Sequence, residues 1–457
     1  MTDLADLIAA LGDRLASHIA QQRWSGAHDR PIDRVELVWH ELIRKDEPLL
    51  LWTVVRAHFA DGSAQDYQLF LGVRPVEPPP DFLHGKERET VAYLPDAPLG
   101  VVVYDALVDP DLAIEVLHFV APGIEVAVRR PIVLEHSNSS VVYDEAHILK
   151  VFRKVEAGPN PDVEITRVLA ERGYEHVLEP HASLQREGID LAVLREFLVG
   201  CTEGWELARA SVRDLLAGGL PPEESGADFA PDAERLGGVL ASLHLAMGEA
   251  WGTAPGDAER WSVEMTANLD EVLVQVADVP ATIEVDEIRR CFEEVASLLD
   301  PGQEIRIHGD LHLAQVIKSD AGWKILDFEG EPARRRDDRF TTSSPLRDVA
   351  GMLRSLHYVA ATGLAEWLGD GEDEAPLLAL VDQWEERNRA ALLHAYLATD
   401  GIGSLLPIDS ASLDALLAAF ELDKAVYEVG YELGHRPDHV SIPVSGIRRV
   451  LQSRAGA

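Results

Sequence analysis

The sequence predicts an α+β protein of two lobes with a cleft between them, and three observations predict it. The first half alternates apolar and polar residues at strand period, the second half spaces its apolar residues as helices do, and a short β section near residues 305–326 interrupts the helical half. At 457 residues and 46% hydrophobic content, the chain can fill more than one core.

The elements follow in order. Met1 to Ala20 carries Asp3, Asp6, Asp13 and Arg14 among its apolar residues, which predicts an amphipathic helix and not a signal peptide. Strands are expected at Val35 to Trp39, Leu49 to Phe59 and Tyr67 to Leu71, with Asp61-Gly62 as a turn, and these read as an antiparallel sheet. The Pro-rich segment Pro75 to Pro80 marks a break. A second strand-rich block follows at Gly100 to Val108, Glu115 to Phe119, Glu125 to Val128, Ile132 to Glu135, Ser140 to Tyr143 and His147 to Phe152. Beyond Pro161 the spacing of Val163, Ile165, Val168 and Leu169 predicts a helix, and Leu191 to Leu198 a strand. From Trp205 the chain is mostly helical, with Leu236, Val239, Leu240 and Leu243 on one stripe, and Gly218 to Asp232 reads as a surface loop. Short strands are expected at Ile305 to Ile307, Val316 to Lys318 and Trp323 to Leu326.

Charge and cysteine content exclude several classes. A formal net charge of -38, spread along the chain, repels nucleic acid and anionic membranes. Two cysteines, Cys201 and Cys291, are too few for a disulfide framework or a cysteine metal site, which fits a reducing cytoplasm. No apolar run is long enough to span a bilayer. A monomer is expected.

The strongest chemical signal is His308-Gly309-Asp310-Leu311-His312-Leu313-Ala314-Gln315, followed by Asp327-Phe328-Glu329. Phosphoryl transfer from ATP needs a carboxylate to accept the hydroxyl proton and oxygen ligands to hold Mg2+ against the phosphates. Asp310 suits the first role. Gln315 stands five residues later, where the protein-kinase catalytic loop has its metal-binding amide, and Asp327 stands at the place of the Asp-Phe-Gly metal ligand. His308 reads as an orienting residue and His312 as either core or site wall. Lys150 at the end of a strand and Glu164 one turn into the next helix have the spacing of a phosphate-gripping cation and its carboxylate. The polar turn containing Ser137, Asn138, Ser139 and Ser140 lies where a loop would cover the phosphates; without glycine, its backbone N–H groups and hydroxyls would cradle them. Glu196, Phe197 and Leu198 fall where a hinge would offer backbone groups to adenine.

On these residues the chain resembles the aminoglycoside-phosphotransferase-like kinases and, within them, the actinobacterial maltokinase family and its glucosamine kinase branch. The resemblance is carried by His136 to Tyr143, Gly158 to Pro161, His308 to Gln315, Asp327 to Pro332 and Ser344 to Ser355. It implies a bilobal eukaryotic-protein-kinase-like fold: an N-terminal cap domain over 1–100, an intermediate β-rich domain completing the N-lobe over 101–200, and a mostly α-helical C-lobe over 201–457. It implies an ATP- and Mg2+-dependent sugar kinase and supports Asp310 as base, Gln315 and Asp327 as metal ligands, and Lys150 with Glu164 at the nucleotide. Arg347 and Asp348 fall in a helix-start motif and read as a structural ion pair.

The acceptor is read from departures and from one helix. Arg23-Trp24-Ser25-Gly26 lacks the aromatic that follows the Arg-Trp pair in maltokinases, and Ala314 replaces the glycine before the metal amide, which points away from maltose. The segment around Trp384, Glu385 and Asn388 resembles a pattern of the branch that phosphorylates glucosamine at its 6-hydroxyl. A ring face, a carboxylate for the ammonium and an amide for hydroxyls suit an amino sugar, with Asp310 and His312 at the reacting hydroxyl. The competing reading puts Trp384 in the core and Glu385 on a charged face. Maltose, an aminoglycoside acceptor and a non-enzymatic pseudokinase remain as alternatives, the last opposed by the presence of every expected catalytic group.

Overall fold

The computed structural model describes residues 4–27, 30–78, 80–94, 100–126, 132–135, 138–275, 283–330, 342–368 and 374–455. Two compact units arise: Met1–Arg167 with Leu178–Val199, and Val168–Val177 with Gly200–Ala457.

The first unit opens with helix α1 (Leu4–Gln21) and an antiparallel sheet of β1 (Ile32–Arg44), β2 (Leu49–Phe59), β3 (Ala64–Pro75), β4 (Thr90–Leu94) and β5 (Val101–Asp105) in the order β1-β2-β3-β5-β4. Its central strands are apolar on both faces because both faces are covered. Leu51, Val55, Leu69 and Leu71 pack with Leu11, Leu15 and Ile19 of α1. Leu50, Trp52 and Phe70, one residue out of phase, pack with Leu112, Val116 and Leu117 of α2 (Pro110–Val120). Because β5 sits between β3 and β4, a division at residue 100 runs through this sheet.

Glu115 to Phe119, expected as a strand, belongs to α2. Asp109 caps that helix, its Oδ1 accepting from the N–H groups of Asp111 and Leu112, and Pro110 follows as the first residue. The short apolar run is ambiguous between strand and helix, whereas the cap is not. Residues 124–126 form no strand, and the rest of the strand expected at Glu125 to Val128 lies outside the described residues.

A second sheet of the same unit contains β6 (Ile132–Glu135), β7 (Ser139–Tyr143), β8 (His147–Val151), β10 (Pro180–Arg186) and β11 (Ile189–Glu196), in the order β10-β11-β8-β7-β6, with helix α3 (Pro161–Glu171) after β8. The short β9 (Lys154–Val155) returns to pair with β3.

The second unit is helical apart from two small sheets. Its elements are β12 (Thr202–Glu203), α4 (Gly204–Gly218), α5 (Ala230–Trp251), β13 (Ala254–Pro255), α6 (Ala258–Gln275), α7 (Val285–Ala296), β14 (Gln303–Arg306), β15 (Val316–Ser319), β16 (Gly322–Ile325), β17 (Thr342–Ser343), α8 (Leu346–Trp367), α9 (Glu374–Ala398), α10 (Ser410–His435) and α11 (Ser441–Ala455). The apolar stripe of α5 is buried as its spacing predicts. Helix α8 is buried along most of its length, and Gly351 allows it to approach the loop after β14. A Cβ at 351 would lie 2.4 Å from the Leu311 carbonyl oxygen. No helix among the described residues is long and apolar enough to cross a membrane.

Candidate active site

The loop between β14 and β15 carries Asp310, and its shape is set by one buried carboxylate from α8. Asp348 accepts hydrogen bonds from the backbone N–H of His308 (2.8 Å) and of Gly309 (2.9 Å), and His244 Nε2 lies 3.2 Å from it. His244 Nδ1 in turn contacts the Tyr396 hydroxyl at 2.9 Å. Burial alone would push the Asp348 carboxyl up, but His244, His308 and the loop amide outweigh it and hold the group below the usual carboxylate range. Arg347 and Asp348 were expected to pair with each other; adjacent positions on a helix point about 100° apart. Arg347 instead reaches Asp423, at 2.9 Å.

His308 is an orienting residue. Its Nδ1 accepts from the Asp310 N–H at 3.4 Å, which leaves Nε2–H to donate to the Leu326 carbonyl at 2.8 Å. Its ring packs against Phe328, with centroids 4.7 Å apart. Asp310 is mostly buried, and Lys424 of α10 places its Nζ 3.1 Å from Asp310 Oδ1. Desolvation raises this carboxyl, yet the Lys424 ammonium and the two histidines prevail and keep it below its ordinary value, hence ionised near neutrality. His312 is pushed down by burial, and its Nδ1 accepts from the Ala314 N–H. Asp310 opens into a cavity of about 620 Å³ that Lys424, Tyr427, Tyr431 and Arg347 also line.

Strand pairing explains how Gln315 and Asp327 meet. Val316 pairs with Ile325 in the β15–β16 hairpin, and the Leu326 N–H donates to the Gln315 carbonyl at 2.8 Å. The next residue, Asp327, adopts a left-handed φ of 63° and stands 3.2 Å by its Oδ2 from Gln315 Nε2. A carboxylate and an amide oxygen are hard donors suited to Mg2+. Glu329, which sequence reasoning passed over, brings a further carboxylate oxygen within 4.8 Å of that of Asp327.

In the first unit, the register of β8 between β7 and β11 opposes Lys150 to Ser140 and to Val193. Its Nζ lies 3.4 Å from Asp162 Oδ2, which also accepts from Arg195 Nη1 at 2.9 Å. Glu164, the expected partner, lies in the same first turn of α3; the acidic pair at that helix start was the available signal for Asp162. Ser139 is fully buried and its hydroxyl accepts from Arg153 Nε, so its side chain serves the interior instead of the turn. Ser140 is half-buried, Asn138 is at the edge of burial, and Ser137 lies outside the described residues. At the expected hinge, Glu196 ends β11 opposite His147. The Phe197 N–H already donates to the Ala146 carbonyl, which removes it as a donor to adenine, and Leu198 follows beyond the strand.

Trp384, Glu385 and Asn388 are corrected as acceptor contacts. None lines the cavity of Asp310. The indole of Trp384 is 1% exposed, stacks on Phe229 and donates to Ser211 Oγ at 2.9 Å, so it presents no face to a sugar. Asn388 is fully buried and donates to the Trp384 carbonyl at 2.7 Å. Glu385 is held by His357 at 2.9 Å and Arg449 at 2.5 Å. The cavity of Asp310 is lined instead by Lys424, Tyr427 and Tyr431, on one face of α10 and more than 110 residues beyond Asp310 in the chain, which sequence reasoning did not single out.

Comparison with known proteins agrees with this architecture. Residues 18–109 match the maltokinase N-terminal cap domain. The chain is 29% identical over 363 residues to a glucosamine kinase of Streptacidiphilus jiangxiensis, covering 76% of this chain and 78% of that one. It is 25% identical over 333 residues to a glucosamine kinase of Mycolicibacterium smegmatis, covering 70% and 79%. A solved glucosamine kinase in complex with glucosamine, ADP and inorganic phosphate superposes with a TM-score of 0.65 at 21% identity, over 95% of this chain and 99% of that one, a likeness of fold. The chain is thus similar to glucosamine kinases over most of its length, carries a maltokinase N-terminal cap domain and shares their α+β fold.

Proposed function

We propose that this chain is an ATP-dependent sugar kinase that acts on glucosamine, with Asp310 as general base. The observation that carries the reading is the state of Asp310: an ionised carboxylate at the wall of a cavity, on a loop that Asp348 holds by two backbone amides. Asp310 takes the proton of the acceptor hydroxyl as the sugar oxygen bonds the γ-phosphorus and the bond to the ADP oxygen breaks. Gln315, Asp327 and Glu329 would hold Mg2+, which supplies charge neutralisation at the phosphates when bound. Lys150, kept in place by Asp162 and with Glu164 on the same helix turn, would grip the nucleotide, with the backbone of Asn138 to Ser140 at the phosphates. Glucosamine is the acceptor named for the solved relative and for both curated ones. We assign a monomer to the cytoplasm, consistent with two free cysteines.

One observation favours a second reading, a neutral acceptor such as maltose. An ammonium already stands 3.1 Å from the base and lies over the Tyr427 ring at 4.8 Å, so an amino group brought to the same cavity meets a like charge. The test is ATP consumption with Mg2+ against glucosamine, maltose, glucose and an aminoglycoside, with the product read by NMR. Glucosamine 6-phosphate as the sole strong product supports the first reading and maltose 1-phosphate the second. Asp310→Asn is expected to lower turnover on the preferred sugar by at least about 10²-fold while the protein stays folded. Turnover at the wild-type rate in that variant would remove Asp310 from the chemistry.

A further inference from the structure

We propose that Arg195 is a positioning residue for the nucleotide, acting through Asp162 to hold Lys150 where the phosphates are gripped. The proposal rests on the kinase reading and goes beyond it, because the usual pair of a lysine and a helix carboxylate involves no second cation. Arg195 lies on β11 opposite Ile148, and Lys150 lies on β8 opposite Val193. Residues paired across strands share a face, as do residues two apart along one strand, so both cations rise from the same face of the sheet. Helix α3 begins on that face, where Val163 packs with Val193 and Phe152. Asp162, in the first turn of α3, is fully buried, and its Oδ2 meets both cations, with Lys150 Nζ at 3.4 Å and Arg195 Nη1 at 2.9 Å. Arg195 makes two more bonds to the same turn: Nη2 donates to the Asp162 carbonyl at 3.0 Å and to Thr166 Oγ1 at 3.1 Å.

Three bonds from one planar guanidinium fix both the carboxylate and the helix start against the strand next to that of Lys150, which a single ammonium cannot do. In protein kinases the lysine's carboxylate stands on a helix whose placement is itself controlled. Here Arg195 ties the helix start to the sheet, so Lys150 is set before a nucleotide arrives. Removal of Arg195 leaves Lys150 beside a buried carboxylate that has lost its closer cation. The ammonium is then drawn toward Asp162 and away from the phosphates. The helix start itself keeps its other supports, since Asn160 Oδ1 accepts from the Asp162 N–H at 2.8 Å and Val163 stays packed on the sheet.

The test is isothermal titration of the full chain with MgADP for the wild type, Lys150→Met, Arg195→Met and the double variant, with folding checked by circular dichroism and melting. Lys150→Met is expected to weaken binding by at least about tenfold and Arg195→Met by at least about threefold. In the Lys150→Met background, Arg195→Met should add less than about twofold, because the ammonium it acts through is gone. The sugar KM of Arg195→Met should stay within about twofold of the wild type. A merely structural role would instead add its full loss in both backgrounds. The same cycle with Arg195→Lys keeps a cation beside Asp162 and guards against loss of the fold; its loss should be smaller and should also vanish without Lys150. Wild-type affinity in both folded Arg195 variants, or an equal loss with and without Lys150, would overturn the role of Arg195 and leave the kinase reading standing. Absence of MgADP binding by the wild type would overturn both.

Discussion

Replacing Lys424 with methionine tests how the site keeps its base ionised. With 3.1 Å between Nζ and Asp310 Oδ1, the attraction is worth about 1 to 5 kcal/mol for effective dielectrics between that of water and about 20. The two side chains are 24% and 18% exposed, and solvent screening puts the effect toward the lower end, about 1 to 2 pKa units at 1.36 kcal/mol each. The sign follows from the depressed pKa of Asp310. Activity that needs the carboxylate is present above this pKa and is lost as pH falls through it. Without Lys424 the pKa rises, so the acid limb of kcat/KM should move to higher pH by about 1 to 2 units. Relief of a like charge should also raise the preference for glucosamine over a neutral sugar, by roughly 3- to 100-fold for an amino group about 6 Å away. The assay is the pH profile of kcat/KM for both acceptors in wild type and variant. An unmoved acid limb together with an unchanged acceptor ratio would refute the role given to Lys424.

Gly351→Ala places a methyl group against the Leu311 carbonyl, so about 1 to 3 kcal/mol of stability should be lost with most of the activity, read by melting and turnover. Trp384→Ala should cost about 3 to 5 kcal/mol, with the acceptor KM of the folded fraction unchanged. A raised KM at unaltered melting temperature would return Trp384 to the acceptor site. Chelation of Mg2+ should abolish turnover reversibly, and Asp327→Ala should raise the Mg2+ needed for half-maximal rate by at least about tenfold; an unchanged Mg2+ requirement would remove Asp327 from the metal site.

The parts of the site that were legible in the sequence are those whose geometry is local. Asp310, Gln315 and Asp327 lie within one loop and one hairpin, and the pairing of Val316 with Ile325 brings the last two together. The strands of the first sheet were legible as apolar runs, although their two-sided burial, Leu51 toward α1 and Leu50 toward α2, needs the partners that cover them. What was illegible comes from distant chain. Lys424 reaches Asp310 across 114 positions, and Asp348 reaches the Gly309 amide across 39. Trp384 shows the reverse error: on an isolated helix a ring suited to stack on a sugar cannot be told from one that stacks on Phe229. For α2 the signal was present, in the Asp109-Pro110 start, and the apolar run after it obscured it.

Asp348 has a consequence for how binding energy is used. The two amides it holds belong to the residues immediately before Asp310, the proposed base, and its own carboxylate is fixed by His244 and, through it, by Tyr396. The conformational entropy of the catalytic loop is therefore lost when the helical unit folds and not when a sugar arrives. In the proposed reaction, contacts made by the acceptor are free to favour the transition state, because none of them is consumed in ordering the loop that carries Asp310.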